Sequence, residues 1–114
     1  NNGWIYTAFA SALNYNIDVD KIESAITNKT KAIMPVHLYG QSCNMTGLME
    51  IAKKYNLFVV EDNAQAHLSK WEGRFTGTFG HINATSFYPT KNLGAIGEAG
   101  AITTNDKLLA EFSN

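Results

Sequence analysis

The sequence predicts an α/β domain built on a mostly parallel sheet, and three observations carry that prediction. Apolar runs of strand length alternate with stretches of helical periodicity. The run Leu57-Phe58-Val59-Val60 is continuously apolar, as in strands covered on both faces. The segment before it is long enough for a helical crossover, which parallel neighbours require.

Asp20 and Glu23 have the spacing of a capping box, and Val19, Ile22, Ala25 and Ile26 recur at helical spacing, so a short helix is expected over Val19 to Thr27. A strand follows from Ala32 to Val36. Met45, Leu48, Met49, Ala52 and Tyr55 mark one apolar face, while Glu50, Lys53 and Lys54 mark a polar one. That pattern predicts a helix from Met45 to Tyr55 that ends before Asn56. With Leu57 to Val60 as the next strand, the unit delivers Asp62 at the carboxyl end of the sheet, where open α/β sheets bind ligands. Ala64 to Gly80 is richer in glycine and polar residues and reads as a loop over the sheet, with Trp71-Glu72-Gly73-Arg74 as a turn or hairpin connection. A strand from Ile82 to Phe87 brings Ser86 to its end, and Gly100 to Thr104 reads as a further strand before a helix from Asp106 to Phe112. No repeat, low-complexity tract or linker interrupts the pattern.

Two charges stand out against this frame. Lys91 sits among small and hydroxylated residues in the run Ser86 to Ala95, just after an apolar, aromatic stretch. Asp62 comes just past the apolar run Leu57 to Val60, so the two are expected at the ends of neighbouring strands. An ε-amine can form an imine with a carbonyl when burial keeps part of it unprotonated. A buried carboxylate facing a pyridine nitrogen keeps that nitrogen protonated and turns the ring into an electron sink. A fixed amine and a fixed carboxylate are what an aldehyde cofactor on a pyridine ring requires.

Four segments occur in an order that resembles one family: Pro35 to Gln41, Glu61-Asp62-Asn63-Ala64-Gln65-Ala66-His67, Ser86 to Ala95, and Gly97 to Ala101. From about Asn16 to Glu111 the chain is similar to the central part of the DegT/DnrJ/EryC1/StrS family of pyridoxal-phosphate-dependent sugar aminotransferases. The resemblance implies the large domain of the fold type I transferases, with pyridoxal 5'-phosphate as cofactor. It further implies that Lys91 forms the Schiff base and shuttles the proton, that Asp62 pairs with the pyridine nitrogen, that Gln65 lies beside the ring and that Ser86 binds the phosphate. The implied reaction moves an amino group from an amino acid, glutamate in the family, to a keto group of a nucleotide-linked deoxysugar. Asn92 to Gly100 resembles members acting on 3-keto sugars more than those acting on 4-keto sugars. Relatives that dehydrate use histidine at the lysine position, so Lys91 argues against that variant.

At 114 residues the chain has room for one domain, whereas a family member has a large cofactor domain and a smaller C-terminal one. The expectation is therefore a central fragment, residues 1–114 of a partial large domain, lacking the upstream helix that holds the phosphate, the aromatic residue stacked on the ring and the C-terminal domain. Family members work as homodimers. Asn1 to Tyr15 departs from the family pattern, which has a strand with an aspartate near its end in that stretch.

Composition excludes several other classes. A net charge of −1 with 17% charged residues and no basic run argues against a nucleic-acid surface. No apolar run approaches the ~18 to 20 residues of a membrane span and no leader pattern opens the chain, so the cytoplasm is the expected compartment. The single cysteine, Cys43, reads as a half-buried thiol, and the three histidines have no ligand spacing, so no metal site is expected. The sequons at Asn28, Asn44 and Asn83 carry no weight in such a protein. His37 and His67 read as packed or loop histidines, with His67 a weaker candidate for substrate contact; Tyr88 and Asn92 read as pocket wall. The alternative to the enzyme is a non-catalytic α/β module that binds a nucleotide or phosphate through the glycine series Gly94, Gly97 and Gly100.

Overall fold

The computed structural model of the chain describes residues 15–87 and 99–112. Its elements, in chain order, are helix α1 (Val19–Ala25), strand β1 (Ala32–Ile33), a 3-10 turn (Leu38–Gly40), helix α2 (Met45–Lys54) and strand β2 (Phe58–Asp62). There follow a two-stranded hairpin, β3 (Lys70–Trp71) and β4 (Arg74–Phe75), then β5 (Ile82–Ser86), β6 (Gly100–Thr103) and α3 (Lys107–Phe112). A four-stranded sheet has the order β1-β2-β5-β6. β2 runs parallel to both β1 and β5, and β6 closes the edge antiparallel to β5.

The expected elements are present, most with ends shifted by a residue or more, α1 for example ending at Ala25 rather than Thr27; the cap of α1 and the end of β1 have plain local causes. Helix α1 starts at Val19 as expected, but its cap is Asp18 rather than Asp20: the Asp18 side chain accepts the Asp20 amide at 3.2 Å. β1 stops at Ile33 because Pro35 has no N–H for the ladder; pairing with β2 resumes at a single bridge between Val36 and Asp62.

Helix α2 shows how closely the chain specifies its own boundaries. Asn44 caps it by accepting the Gly47 amide at 3.0 Å. At the other end Asn56 takes a left-handed conformation (φ 52°), the Leu57 amide donates to the Ala52 carbonyl at 2.8 Å, and the Asn56 amide donates to Lys53 at 3.3 Å. That pair of bonds is a Schellman motif, and it turns Leu57 into the core at the start of β2. The buried face of α2 consists of Met45, Leu48 and Ala52, as the periodicity requires; Tyr55 is largely out of it.

The core lies on one side of the sheet. Ile33 and Val59 meet Ile22 from α1 and Met45, Leu48 and Ala52 from α2. Because side chains alternate along a strand, Glu61 shares the face of Val59, whereas Phe58, Val60 and Asp62 point to the opposite face. That opposite face carries the exposed apolar side chains Met34, Phe58 and Ile102. The Leu57 to Val60 run is therefore apolar on both faces, and among the described residues the core covers one of them.

The stretch from Ala64 to Gly80 is more ordered than a loop. β3 and β4 pair through a turn with both central residues at positive φ, Glu72 (48°) and Gly73 (82°), which matches the twist of the two strands. The hairpin docks on the start of α2, where the Trp71 indole N–H donates to Thr46 Oγ1 at 2.8 Å and the Thr46 hydroxyl donates to Glu72 at 2.8 Å.

Leu48 is fully buried at the centre of this packing. Replacing it with alanine in the full-length protein is expected to lower stability by about 2–5 kcal/mol in urea denaturation. A loss under about 1 kcal/mol, the scale of a surface change, would contradict this placement of the core.

Candidate functional site

The carboxyl ends of β2 and β5 lie side by side, with Asp62 in register with Ala84. Ser86 follows two residues later and therefore shares the face of Asp62, at a Cα separation of about 8 Å from strand spacing and rise. Two of the sequence-derived site residues are thus brought to one end and one face of the sheet. Gln65 comes three residues after Asp62 in the turn that leaves β2, its carbonyl accepting the Gly40 amide at 3.0 Å. Lys91, with Tyr88, Asn92, Gly94 and Gly97, lies outside the described residues.

The Asp62 carboxylate is oriented but not used up. Oδ1 accepts the Ala64 amide at 3.0 Å, and Oδ2 has no hydrogen-bond partner among the described residues. The Gln65 side chain is likewise half-buried without a polar partner there. Among the described residues the face carries Ala84 beside Asp62 and two positions before Ser86, and Gly100 stands opposite Ser86 on β6. Such a floor, with one spare carboxylate oxygen at one end and a serine at the other, fits a flat ring with a cationic nitrogen and an anionic group across from it.

Behind this face lies a feature that the sequence reading did not single out. Glu61 is completely buried, yet it accepts four hydrogen bonds. His37 Nε2 and the Gly77 amide donate to Oε1 at 3.0 and 2.8 Å; the Phe79 and Gly80 amides donate to Oε2 at 2.7 and 2.6 Å. Burial alone would push this carboxyl up, but the bonds from His37 and from the Gly80, Gly77 and Phe79 amides outweigh it and hold the group below the ordinary carboxylate value. The signal that could have found it is the alternation itself: an acidic residue two positions after Val59 has to enter the core face.

His37 is equally fixed. Its Nδ1 accepts the Cys43 amide at 3.1 Å, so that nitrogen carries no proton and Nε2 is the donor to Glu61. This is the packed histidine expected from the sequence. Gly77 and Gly80 are required by the same arrangement. Gly77 has φ 78°, and a Cβ on Gly80 would come within 2.9 Å of the Val59 carbonyl. His67 Nε2 shares a hydrogen bond with Thr85 Oγ1 at 2.8 Å and its ring stacks on Phe87, while its Nδ1 is buried without a partner among the described residues. Thr85 shares the face of Glu61, which sets His67 behind the sheet and away from Asp62.

Cys43 is buried, and its thiol donates to the Val36 carbonyl at 3.3 Å. Desolvation pushes its pKa up to about 11; the thiol is inert as expected, but fully rather than half-buried.

Comparisons with known proteins bear on family and fold. The profile of the DegT/DnrJ/EryC1/StrS aminotransferase family matches residues 10–113. The chain belongs to this family. It is 61% identical over 100 residues to the dTDP-3-amino-3,6-dideoxy-alpha-D-galactopyranose transaminase of Aneurinibacillus thermoaerophilus, an alignment covering 88% of this chain and 28% of that one. Among solved structures it matches Streptomyces venezuelae DesV in complex with a ketimine intermediate at TM-score 0.81 and 46% identity, over 86% of this chain and 26% of that one. It matches Bacillus subtilis NtdA with bound cofactor PMP at TM-score 0.82 and 42% identity, over 93% of this chain and 23% of that one. The fold is thus that of the fold type I aminotransferases, as the sequence led us to expect. The chain spans about a quarter of the length of the curated relatives it matches.

Two outcomes follow from the buried groups. The folded Glu61 carboxyl has the lower pKa, so the unfolded chain binds more protons in acid; its contribution to stability is complete above the ordinary carboxylate range and is lost as pH falls through the lowered value. Denaturation followed against pH is therefore expected to show a steeper acid limb in the wild type than in Glu61→Gln, and parallel acid limbs would contradict the assignment. Cys43 is expected to resist alkylation at pH 8 until the protein unfolds; prompt labelling of native protein would show an accessible thiol instead.

Proposed function

We propose that this chain is the central part of the large domain of a pyridoxal-phosphate-dependent aminotransferase acting on a nucleotide-linked keto-deoxysugar, with an amino acid as donor. The single observation that carries the proposal is the placement of Asp62 and Ser86 on one face at the carboxyl ends of two adjacent parallel strands, with a spare carboxylate oxygen between them and the turn bearing Gln65. Family membership and the PMP-bound relative support the cofactor. The 3-amino product named for the Aneurinibacillus relative favours a keto group at sugar carbon 3.

Pyridoxal 5'-phosphate, when bound, supplies an aldehyde that takes up an amino group and a ring that accepts the electron pair of a neighbouring carbanion. Asp62 would hold the ring nitrogen in its protonated form, a role suited to a carboxylate that has only its Oδ1 bonded among the described residues. Ser86 would donate its hydroxyl to the phosphate, and Gln65 would lie along the ring. Lys91, five residues after Ser86, would supply the amine that anchors the aldehyde. Displaced by the donor, that amine would carry a proton from the donor carbon to the cofactor carbon, and return it when the keto sugar is aminated. The exposed apolar side chains of the Asp62 face, Met34, Phe58 and Ile102, fit a segment whose remaining cover comes from other parts of a longer polypeptide. Completion of the site across a homodimer, and a cytoplasmic location, belong to the same reading. The glycine-series phosphate module is not favoured, since it gives Asp62 no role.

The full-length protein, reconstituted with cofactor, is expected to show the visible absorption of a lysine-bound aldehyde. Lys91→Ala should abolish that band and reduce transamination by at least about 10³-fold. Asp62→Asn should keep the band while lowering the rate by about 10²-fold or more. A colourless wild type, or a lysine-type band in Lys91→Ala, would defeat the proposal.

A further inference from the structure

Asp62 stands between two residues that are held from behind by the same short segment. Glu61 takes the amides of Gly77, Phe79 and Gly80. Asn63, also buried, accepts the Thr76 hydroxyl on Oδ1 at 2.7 Å. Both side chains lie on the core face, and Asp62 between them points to the other. The main chain of Asp62 is tied at the same time to the segment before the 3-10 turn: its amide donates to Pro35 at 2.9 Å and its carbonyl accepts the His37 amide at 3.1 Å. The His37 ring then closes the circuit on Glu61.

This arrangement is more than a way to fill the core. An apolar side chain of similar volume would pack at position 61 without the cost of burying a charge, which is often the more stable solution. What four converging N–H groups add is direction: a carboxylate so held cannot rotate, and neither can the strand that carries it. The next residue along that strand is the one whose carboxylate must meet a ring nitrogen at a defined depth.

We propose that Glu61 is a positioning residue for the reaction, fixing the depth and direction of the Asp62 carboxylate through β2, with the segment from Thr76 to Gly80 as the clamp it acts against. The inference rests on the reading of Asp62 as partner of the ring nitrogen. Glu61 itself does not touch the cofactor. Its effect passes along one peptide bond and through Asn63.

The test uses full-length protein, wild type beside Glu61→Gln and Thr76→Val, with cofactor affinity of the apo protein read by titration and kcat separated from KM for the amino donor. Glu61→Gln keeps the size but turns an amide NH₂ toward backbone donors; Thr76→Val keeps the shape and removes the hydroxyl that bonds Asn63 and lies within reach of the Ala66 and Ser69 carbonyls. Glu61→Gln is expected to retain the lysine-bound colour, to bind cofactor about tenfold more weakly, and to lose about 10- to 100-fold in kcat with KM within about twofold. Thr76→Val should show the same pattern at about threefold or more in kcat. Where Glu61→Gln does not fold, Thr76→Val decides. Wild-type kcat and cofactor affinity in the folded variants, with only a lower melting temperature, would overturn the inference and leave Glu61 an anchor of the fold. A colourless wild type would instead bring down the reading of Lys91 and Asp62 and this inference with it.

Discussion

One buried carboxylate organises the carboxyl end of this sheet. Glu61 gathers a histidine from the segment after β1 and three backbone amides from the segment before β5. An ionised group with no water around it is tolerated only when its lone pairs are filled, and here they are filled by donors from two otherwise separate loops. The loops cannot move without unpairing the charge. That requirement also explains the glycines at 77 and 80, since only residues lacking a Cβ let the backbone turn its amides onto Oε1 and Oε2 at this range.

The same strand then presents a second carboxylate to the opposite face. Consecutive acidic residues would repel if they shared a pocket, but the two-residue period of a strand separates them: Glu61 faces the core with four donors and Asp62 faces the open side with one. The division of labour is a matter of supply. The carboxylate whose four hydrogen bonds fill it is committed to the core, and the one with a single bond among the described residues is the one our proposal assigns to the cofactor. His37 links the two roles, its ring bonded to Glu61 and its amide to the Asp62 carbonyl.

Much of this was legible in the sequence, and the gaps have physical causes. α2 could be read because periodicity, the Asn44 cap and the Asn56 stop all agree. Asp62 and Ser86 could be placed because each follows a run of strand length and belongs to an ordered set of family segments. The Glu61 hub could not, since its partners lie up to 24 residues away and three of the four are main-chain N–H groups that no side-chain pattern reveals. The Ala64 to Gly80 stretch looked like a loop because its strands are two residues each, too short for an alternation to register. The single-sided cover of the sheet was hidden for another reason: Phe58 and Val60 are apolar whether or not this segment itself supplies what lies over them.

The account depends on which carboxylate faces the cofactor, and an experimental structure of the full-length protein with pyridoxal 5'-phosphate bound measures that directly. The expected result is an Asp62 carboxylate oxygen within hydrogen-bond distance of the pyridine nitrogen, Ser86 at the phosphate, and Glu61 on the far side of β2 still holding His37 and the amides of Gly77, Phe79 and Gly80. A structure with Asp62 turned to solvent, or with Glu61 released from those amides while Asp62 keeps its place at the ring, would contradict it.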